Sequence, residues 1–199
     1  MYATTESSQF FLVGEHSLTC AAVERVARGI TQARLSPAPE FLARISRGAD
    51  ILADRLARGV PTYGVNTGFG ASVRNVVPLE AALTLTRNLP RYHGCGVGPY
   101  LGREEARAVL VVRANSLAAG YSGVRPELIE RLLALLAHDI VPLIPARGSV
   151  GASGDLTPLS YVAALVTGER QALLDGEVLS AREALARKQL KPLELAPKE

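Results

Sequence analysis

Apolar residues recur at helical spacing through most of this chain, and clusters of glycine interrupt the rhythm in three places. Thr19 can cap a helix running to about Arg34, with Val23, Val26, Ala27 and Ile30 on one face. Pro37 and Pro39 open a second helix, roughly Glu40 to Arg58, whose stripe is Leu42, Ile45, Ile51, Leu52 and Leu56; Gly59 and Pro61 close it. Pro78 starts a helix expected to run to Leu89 and to break at Pro90. Arg103 to Ala119 reads as a strong helix ending at Gly120, and Pro126 starts another to about His138. Asp155, or Thr157 followed by Pro158, caps a helix to about Val166, and Ser180 caps a last one to about Gln189.

Between these helices the pattern changes. Tyr63 to Gly70 holds three glycines in eight residues and is read as a loop, as is Arg91 to Gly102. Ile140 to Pro145 is short, extended and interrupted by proline, and it feeds a third glycine-rich loop from Gly148. Asp175-Gly176 between apolar pairs signals a hairpin over Leu173 to Leu179. The expected architecture is mainly α with a few short strands, in one unit over 1–199 without repeat or linker. Leu190 to Glu199 reads as the approach to a further helix.

Composition narrows the class. Hydrophobic residues make up 48% and charged residues 21%, a balance that supports a packed core and excludes a disordered chain. No apolar run approaches a membrane span; Leu132 to Ala137 is stopped by His138 and Asp139. Met1 to Gln9 lacks the layout of a secretory signal, and two cysteines build neither a disulfide framework nor a metal site. A cytoplasmic protein without a metal is the expectation. The net charge of +3 is scattered over amphipathic stretches, so neither nucleic acid nor membrane is expected as a partner.

The candidate chemistry lies in Gly148-Ser149-Val150-Gly151-Ala152-Ser153-Gly154-Asp155. Ala152-Ser153-Gly154 can condense on itself: the Gly154 nitrogen attacks the Ala152 carbonyl carbon, a five-membered ring closes, and water is lost. Elimination of the Ser153 hydroxyl then leaves an exocyclic methylene. Glycine at the attacking position has no Cβ to screen the approach, and serine supplies the leaving hydroxyl that alanine lacks. The product, 4-methylidene-imidazol-5-one, is an electrophile that no ordinary side chain provides.

Gly151-Ala152-Ser153-Gly154-Asp155-Leu156-Thr157-Pro158-Leu159-Ser160 resembles the signature of the histidine and aromatic amino-acid ammonia-lyases. Tyr63-Gly64-Val65-Asn66-Thr67-Gly68-Phe69-Gly70 resembles a second block of that family, and Asn115 to Val124 a third, in the family's order. The resemblance covers about Tyr63 to Glu199. It implies the N-terminal, methylidene-imidazolone-bearing domain of the aromatic amino-acid lyase fold, with the central helical bundle largely missing. It also implies a chain that is a fragment of a longer one, a homotetramer in which several subunits build each active site, and carboxylate-binding residues beyond Glu199. The isolated fragment is accordingly expected to be inactive or nearly so.

The activity implied is elimination of ammonia from an aromatic L-amino acid (histidine, or tyrosine or phenylalanine) to give an α,β-unsaturated acid. The resemblance makes Tyr63 the catalytic base, with the cofactor formed from Ala152, Ser153 and Gly154. A phenol titrates near about 10 when unperturbed, so such a base needs a cationic or hydrogen-bonding neighbourhood. Tyr92 and His93 match the pair that faces the substrate side chain in the family, and Asn66 is carried as a further substrate-binding candidate. Asn66 and Thr67 have the alternative role of orienting their loop, and His93 that of capping a turn. Tyr92-His93 departs from the pairs usual for histidine, phenylalanine and tyrosine lyases, which leaves the substrate open. Two other functions are compatible with these residues: an aminomutase using the same electrophile, and an inactive truncated remnant.

Overall fold

The computed structural model describes residues 10–15 and 17–199. Met1–Gln9, considered above for a signal, lie outside the described residues. The chain runs β1 (Phe10–Val13), α1 (Cys20–Ala27), β2 (Gln32–Leu35), α2 (Pro39–Ala57), α3 (Leu79–His93), β3 (Val97–Tyr100), α4 (Arg103–Ala118) and α5 (Pro126–Ala137). It continues β4 (Val141–Pro142), β5 (Pro145–Arg147), α6 (Leu156–Val166), β6 (Gln171–Leu174), β7 (Glu177–Ser180) and α7 (Ala181–Arg187). Single 3-10 turns stand at Gly70–Ser72 and Gly151–Ser153. The mainly helical expectation holds.

Most helix ends follow from one local device. After α1, α2, α5, α6 and α7 the chain makes the paired 6→1 and 5→2 backbone bonds of a Schellman turn, with a positive φ at the residue after the cap: Gly29, Gly59, Asp139, Gly168 and Gln189. At α1, Ile30 N–H donates to Arg25 O at 2.9 Å and Gly29 N–H to Val26 O at 3.0 Å. This stop corrects the helix expected to reach Arg34. Gln32–Leu35 instead forms β2, parallel to β1 with Phe10 opposite Gln32 and Val13 opposite Leu35.

Two further expectations are corrected. Pro90 does not end α3, which continues to His93 with Pro90 inside it. A proline removes one helix hydrogen bond and crowds the carbonyl four residues back, but its fixed φ is helical, so the last turn survives where tertiary contacts hold it. Here Arg91 grips Glu169, with Nη2 to Oε1 at 2.5 Å and Nε to Oε2 at 2.9 Å. The stretch Arg91 to Gly102 is also not all loop, because β3 pairs antiparallel with β5, Val97 opposite Arg147 and Tyr100 opposite Pro145. The hairpin appears as expected: Asp175 (φ 50°) and Gly176 (φ 82°) turn β6 into β7, as a two-residue primed turn demands. Ser180 caps α7 by accepting from Glu183 N–H at 3.2 Å. No helix follows Leu190 up to Glu199.

The core centres on α4. Ala106, Leu110, Val111, Ala114 and Leu117 are buried there, packed by α1 on one side and by α5 on the other, where Ile129, Leu132, Leu135 and Leu136 are buried. Val162 and Leu165 of α6, Leu174 of β6 and Leu185 of α7 extend the same cluster.

One charge sits inside it. Arg107 is 5% exposed and spends its guanidinium on the ends of two helices. Nε donates to Ala27 O at 2.8 Å and Nη2 to Val26 O at 3.0 Å; Nη1 donates to Leu136 O and to Asp139 Oδ1, both at 2.8 Å. Burial pulls the guanidinium below its ordinary pKa, and the carboxylate of Asp139 opposes that pull. Arg107→Ala takes the donor from Ala27 O and one of two donors from each of Val26 O, Leu136 O and the Asp139 carboxylate. It is expected to cost about 3 kcal/mol in urea unfolding followed by circular dichroism, and an unchanged midpoint would refute the role assigned to Arg107.

Candidate active site

The loop bearing the candidate electrophile emerges from β5 and ends at the start of α6. Its centre, Gly151–Ser153, is a 3-10 turn closed by Gly154 N–H donating to Gly151 O at 3.0 Å, with Gly154 at φ 74° and Asp155 at φ 59°. Ser153 Oγ donates to Val150 O at 2.7 Å, and Ser149 Oγ donates to Asp155 Oδ1. An attack by the Gly154 nitrogen on the Ala152 carbonyl must therefore give up one backbone bond. The tripeptide fits the condensation in one respect, since nothing lies within 4 Å of where a Cβ would stand on Gly151 or Gly154. Asp155 precedes α6 as expected, but its side chain makes no capping bond; its carboxylate is engaged by Ser149 instead.

A second glycine segment leans on this loop. A Cβ on Gly148 (φ 151°) would stand 2.7 Å from Thr157 Cγ2 and 3.1 Å from Gly96 Cα. A Cβ on Gly96 would stand 3.0 Å from Pro145 Cβ. Glycine at Gly148 avoids a clash with Thr157, and at Gly96 it spares Pro145 and Arg147 a shift of a few tenths of an ångström. Cys95, an exposed free thiol, lies 3.9 Å from Thr157 Oγ1. Residues 93–98 are thus laid along the entrance to the Ser153 loop. Within them His93 is half-buried, its Nδ1 3.1 Å from Leu89 O, while Tyr92 is 83% exposed.

The Tyr63 octet is a separate, self-bonded loop. Asn66 closes its neck: Oδ1 accepts from Thr62 N–H at 2.6 Å, and Nδ2 donates to Val60 O at 3.1 Å. Buried Thr67 accepts from Gly64 N–H at 3.0 Å. Phe69 packs edge-on to Tyr63 with ring centroids 6.2 Å apart, and its ring occupies the space a Cβ on Gly64 would need. Tyr63 itself is 56% exposed, and its hydroxyl accepts from Gly70 N–H at 3.1 Å. Among the described residues no hydrogen bond, ion pair or ring contact joins this loop to the Ser153 loop.

A family model described as aromatic amino acid lyase matches residues 18–199. The chain belongs to the aromatic amino acid lyase family. It is 45% identical over 183 residues to histidine ammonia-lyase from Sorangium cellulosum, covering 92% of this chain and 36% of that protein. It is also 45% identical over 185 residues to tyrosine ammonia-lyase from Cupriavidus metallidurans, covering 92% of this chain and 34% of that one. Its fold superposes on the crystal structure of tyrosine aminomutase from Streptomyces globisporus with a TM-score of 0.86 at 38% identity, over 94% of this chain and 34% of that one. The chain spans about a third of the length of the curated relatives it matches.

Cys95, Gly96 and Val97, which follow Tyr92 and His93 in the chain, lie against Thr157, Gly148 and Arg147 on either side of the Ser153 turn. The structure leaves Tyr63 on its own loop, and it commits both polar groups of the Asn66 amide to backbone. Two clefts are developed elsewhere: one of about 520 Å³ between the start of α5 and residues 189–194, and one of about 190 Å³ beside Arg107. Neither is lined by Tyr63, His93 or Ser153. Sequence reasoning missed the residues that fasten the 93–98 segment to α6. Glu169 and Arg170 directly after Gly168 were the local signal, charges just beyond a helix stop.

Glu169 is held below the ordinary carboxylate range, first by its hydrogen bond from Arg91. A depressed folded-state value contributes stability above the unfolded-state value and loses it as pH falls through the folded one. Glu169→Gln is therefore expected to lower the unfolding midpoint slightly at neutral pH and not at all in acid, since the Arg91 pair is exposed to solvent. A pH-independent difference would contradict this. Gly148→Ala forces a Cβ against Thr157 and Gly96 at a left-handed φ, and is expected to cost about 2 kcal/mol in urea unfolding. Adding Thr157→Ser removes one of the two clashing atoms and should recover part of the loss.

Proposed function

We propose that this chain carries the electrophile-bearing part of an ammonia-lyase acting on an aromatic L-amino acid. The observation that carries the reading is the Ala152-Ser153-Gly154 turn at the head of α6, in a chain of the aromatic amino acid lyase family. Ala152, Ser153 and Gly154 would form and hold 4-methylidene-imidazol-5-one. When formed, that group supplies an electrophile that makes the substrate's amine a better leaving group.

The chain's own side chains have the remaining tasks. Tyr63 Oη would take the β-proton of the substrate; it already faces the Gly70 N–H, the kind of donor a negative oxygen requires. His93 and Tyr92 would meet the substrate side chain. An imidazole there can donate to or accept from a polar ring, which favours histidine or tyrosine over phenylalanine. Asn66 contributes by holding the Tyr63 loop closed at its neck, and its second amide hydrogen and second oxygen lone pair are what it could offer a substrate.

The Tyr63 and Ser153 loops and Tyr92 in the last turn of α3 all stand at the surface, so the reading includes a pocket completed by other parts of a longer protein and by further subunits of a homotetramer. The cytoplasm is the compartment proposed. Likeness to tyrosine aminomutase keeps a second reading open, in which the amine returns to the β-carbon. A product assay on the longer parent protein separates the two: free ammonia with a conjugated acid means lyase, and a β-amino acid means mutase.

The test for this chain is an intact mass with peptide mapping across Arg147 to Arg170. A deficit of two waters confined to Ala152-Ser153-Gly154, and absent from Ser153→Ala, is the expected result. An unmodified mass would remove the electrophile from these 199 residues.

A further inference from the structure

The helix whose head bears the Ser153 turn also controls, through its other end, the segment that carries His93. Arg170 follows the Schellman stop of α6 and is itself held at φ 61°. Its Nη2 donates to Gly94 O at 3.0 Å, and its guanidinium lies over the Tyr161 ring, 4.6 Å from the centroid. The hydroxyl of that same tyrosine accepts from Gly96 N–H at 3.1 Å. Two adjoining side chains thus seize the backbone on either side of Cys95. Glycine at 94 leaves Arg170 room to reach: a Cβ there would stand 1.9 Å from Arg170 Nη2 and displace the end of that side chain.

We propose that Arg170, seated on Tyr161, is a positioning residue that fixes Tyr92-His93 relative to the Ser153 loop. The inference rests on the reading that this pair meets the substrate side chain. The segment is pinned at three successive points: Gly94 O by Arg170, Gly96 N by Tyr161, and Val97 by its pairing with Arg147. His93 lies one residue before the first pin. Because Tyr161 belongs to α6 and Arg170 follows directly on it, any displacement of α6 carries the Ser153 turn and the His93 segment together. Arginine suits the place for two reasons. Its planar guanidinium stacks on an aromatic face, and it still donates in its plane to a carbonyl, whereas the compact ammonium of a lysine has no plane with which to do both.

The test uses the 199-residue chain with Arg170→Gln, Arg170→Lys and Tyr161→Phe, read by hydrogen–deuterium exchange and by the histidine ring resonances. Arg170→Gln is expected to speed exchange in the 93–98 segment roughly tenfold and to shift the His93 ring signal, with α1 and His138 unchanged. Arg170→Lys should restore both in part, and Tyr161→Phe should affect the Gly96 amide most. The proposal fails if Arg170→Gln leaves the 93–98 signals unmoved, or if it loosens the chain throughout and lysine restores nothing. Should Arg170→Gln not fold, Arg170→Lys and Tyr161→Phe decide, and silence of the 93–98 signals in both overturns the proposal. None of these signals depends on ring closure. An unmodified Ser153 with a clamp that responds as expected would sink the functional reading and leave the clamp standing.

Discussion

The buried guanidinium of Arg107 is the constraint on which the packing of the helical core depends. A helix ends with carbonyls that lack partners, and burying two such ends in one place is costly unless a donor reaches them. Arg107 reaches both: it supplies the donor to Ala27 O and a second donor to Val26 O of α1 and Leu136 O of α5, which the Schellman turns already engage, while Asp139 balances its charge. It stands on α4 between those helices. The apolar residues decide that α1, α4 and α5 pack together, and the arginine decides where along their lengths they meet. Arg103 reinforces the same point from the surface through Asp139 Oδ2 at 2.8 Å.

The candidate site is built on different terms. Around Gly96 and Gly148 two glycines let the chain close on Thr157, on Pro145 and on each other. A proline ring and a β-branched threonine have few rotamers through which to yield. The polar side chains nearby serve mainly to hold loops in shape: Asn66 and Thr67 within the Tyr63 loop, Ser149 with Asp155 beside the Ser153 turn, and Arg91 with Glu169 beneath the His93 segment. The groups proposed for chemistry, Tyr63 Oη and the Ser153 turn, are left at the surface of this rigid frame. That arrangement suits a site in which orientation carries much of the work.

Much of the fold was legible in local sequence. The helices begin where Thr19, Pro39, Pro126 and Ser180 allow, and Asp175-Gly176 folds as a primed hairpin turn, because caps and turns are decided within a few residues. The family to which the Ala152-Ser153-Gly154 and Tyr63 blocks point was equally plain, since such blocks depend on residue type and order. Gly29 offered a local stop for α1 as well, yet Ile30 continues the helical spacing of Val23, Val26 and Ala27 and masks it.

What only the tertiary structure decided are the meetings between distant segments. Gln32–Leu35 becomes a strand because β1 is alongside to receive its hydrogen bonds, and α3 outlasts Pro90 because Glu169 waits beside Arg91. A glycine in a sequence declares that something comes close, but it does not say what. Gly94, Gly96 and Gly148 were each readable as loop residues; that Arg170, Pro145 and Thr157 are the neighbours they admit depends on how α3, β5 and α6 pack. By itself the sequence determined which groups could react. The order in which these elements stack, set by long-range burial and by backbone contacts that no local pattern encodes, decided which of those groups stand together.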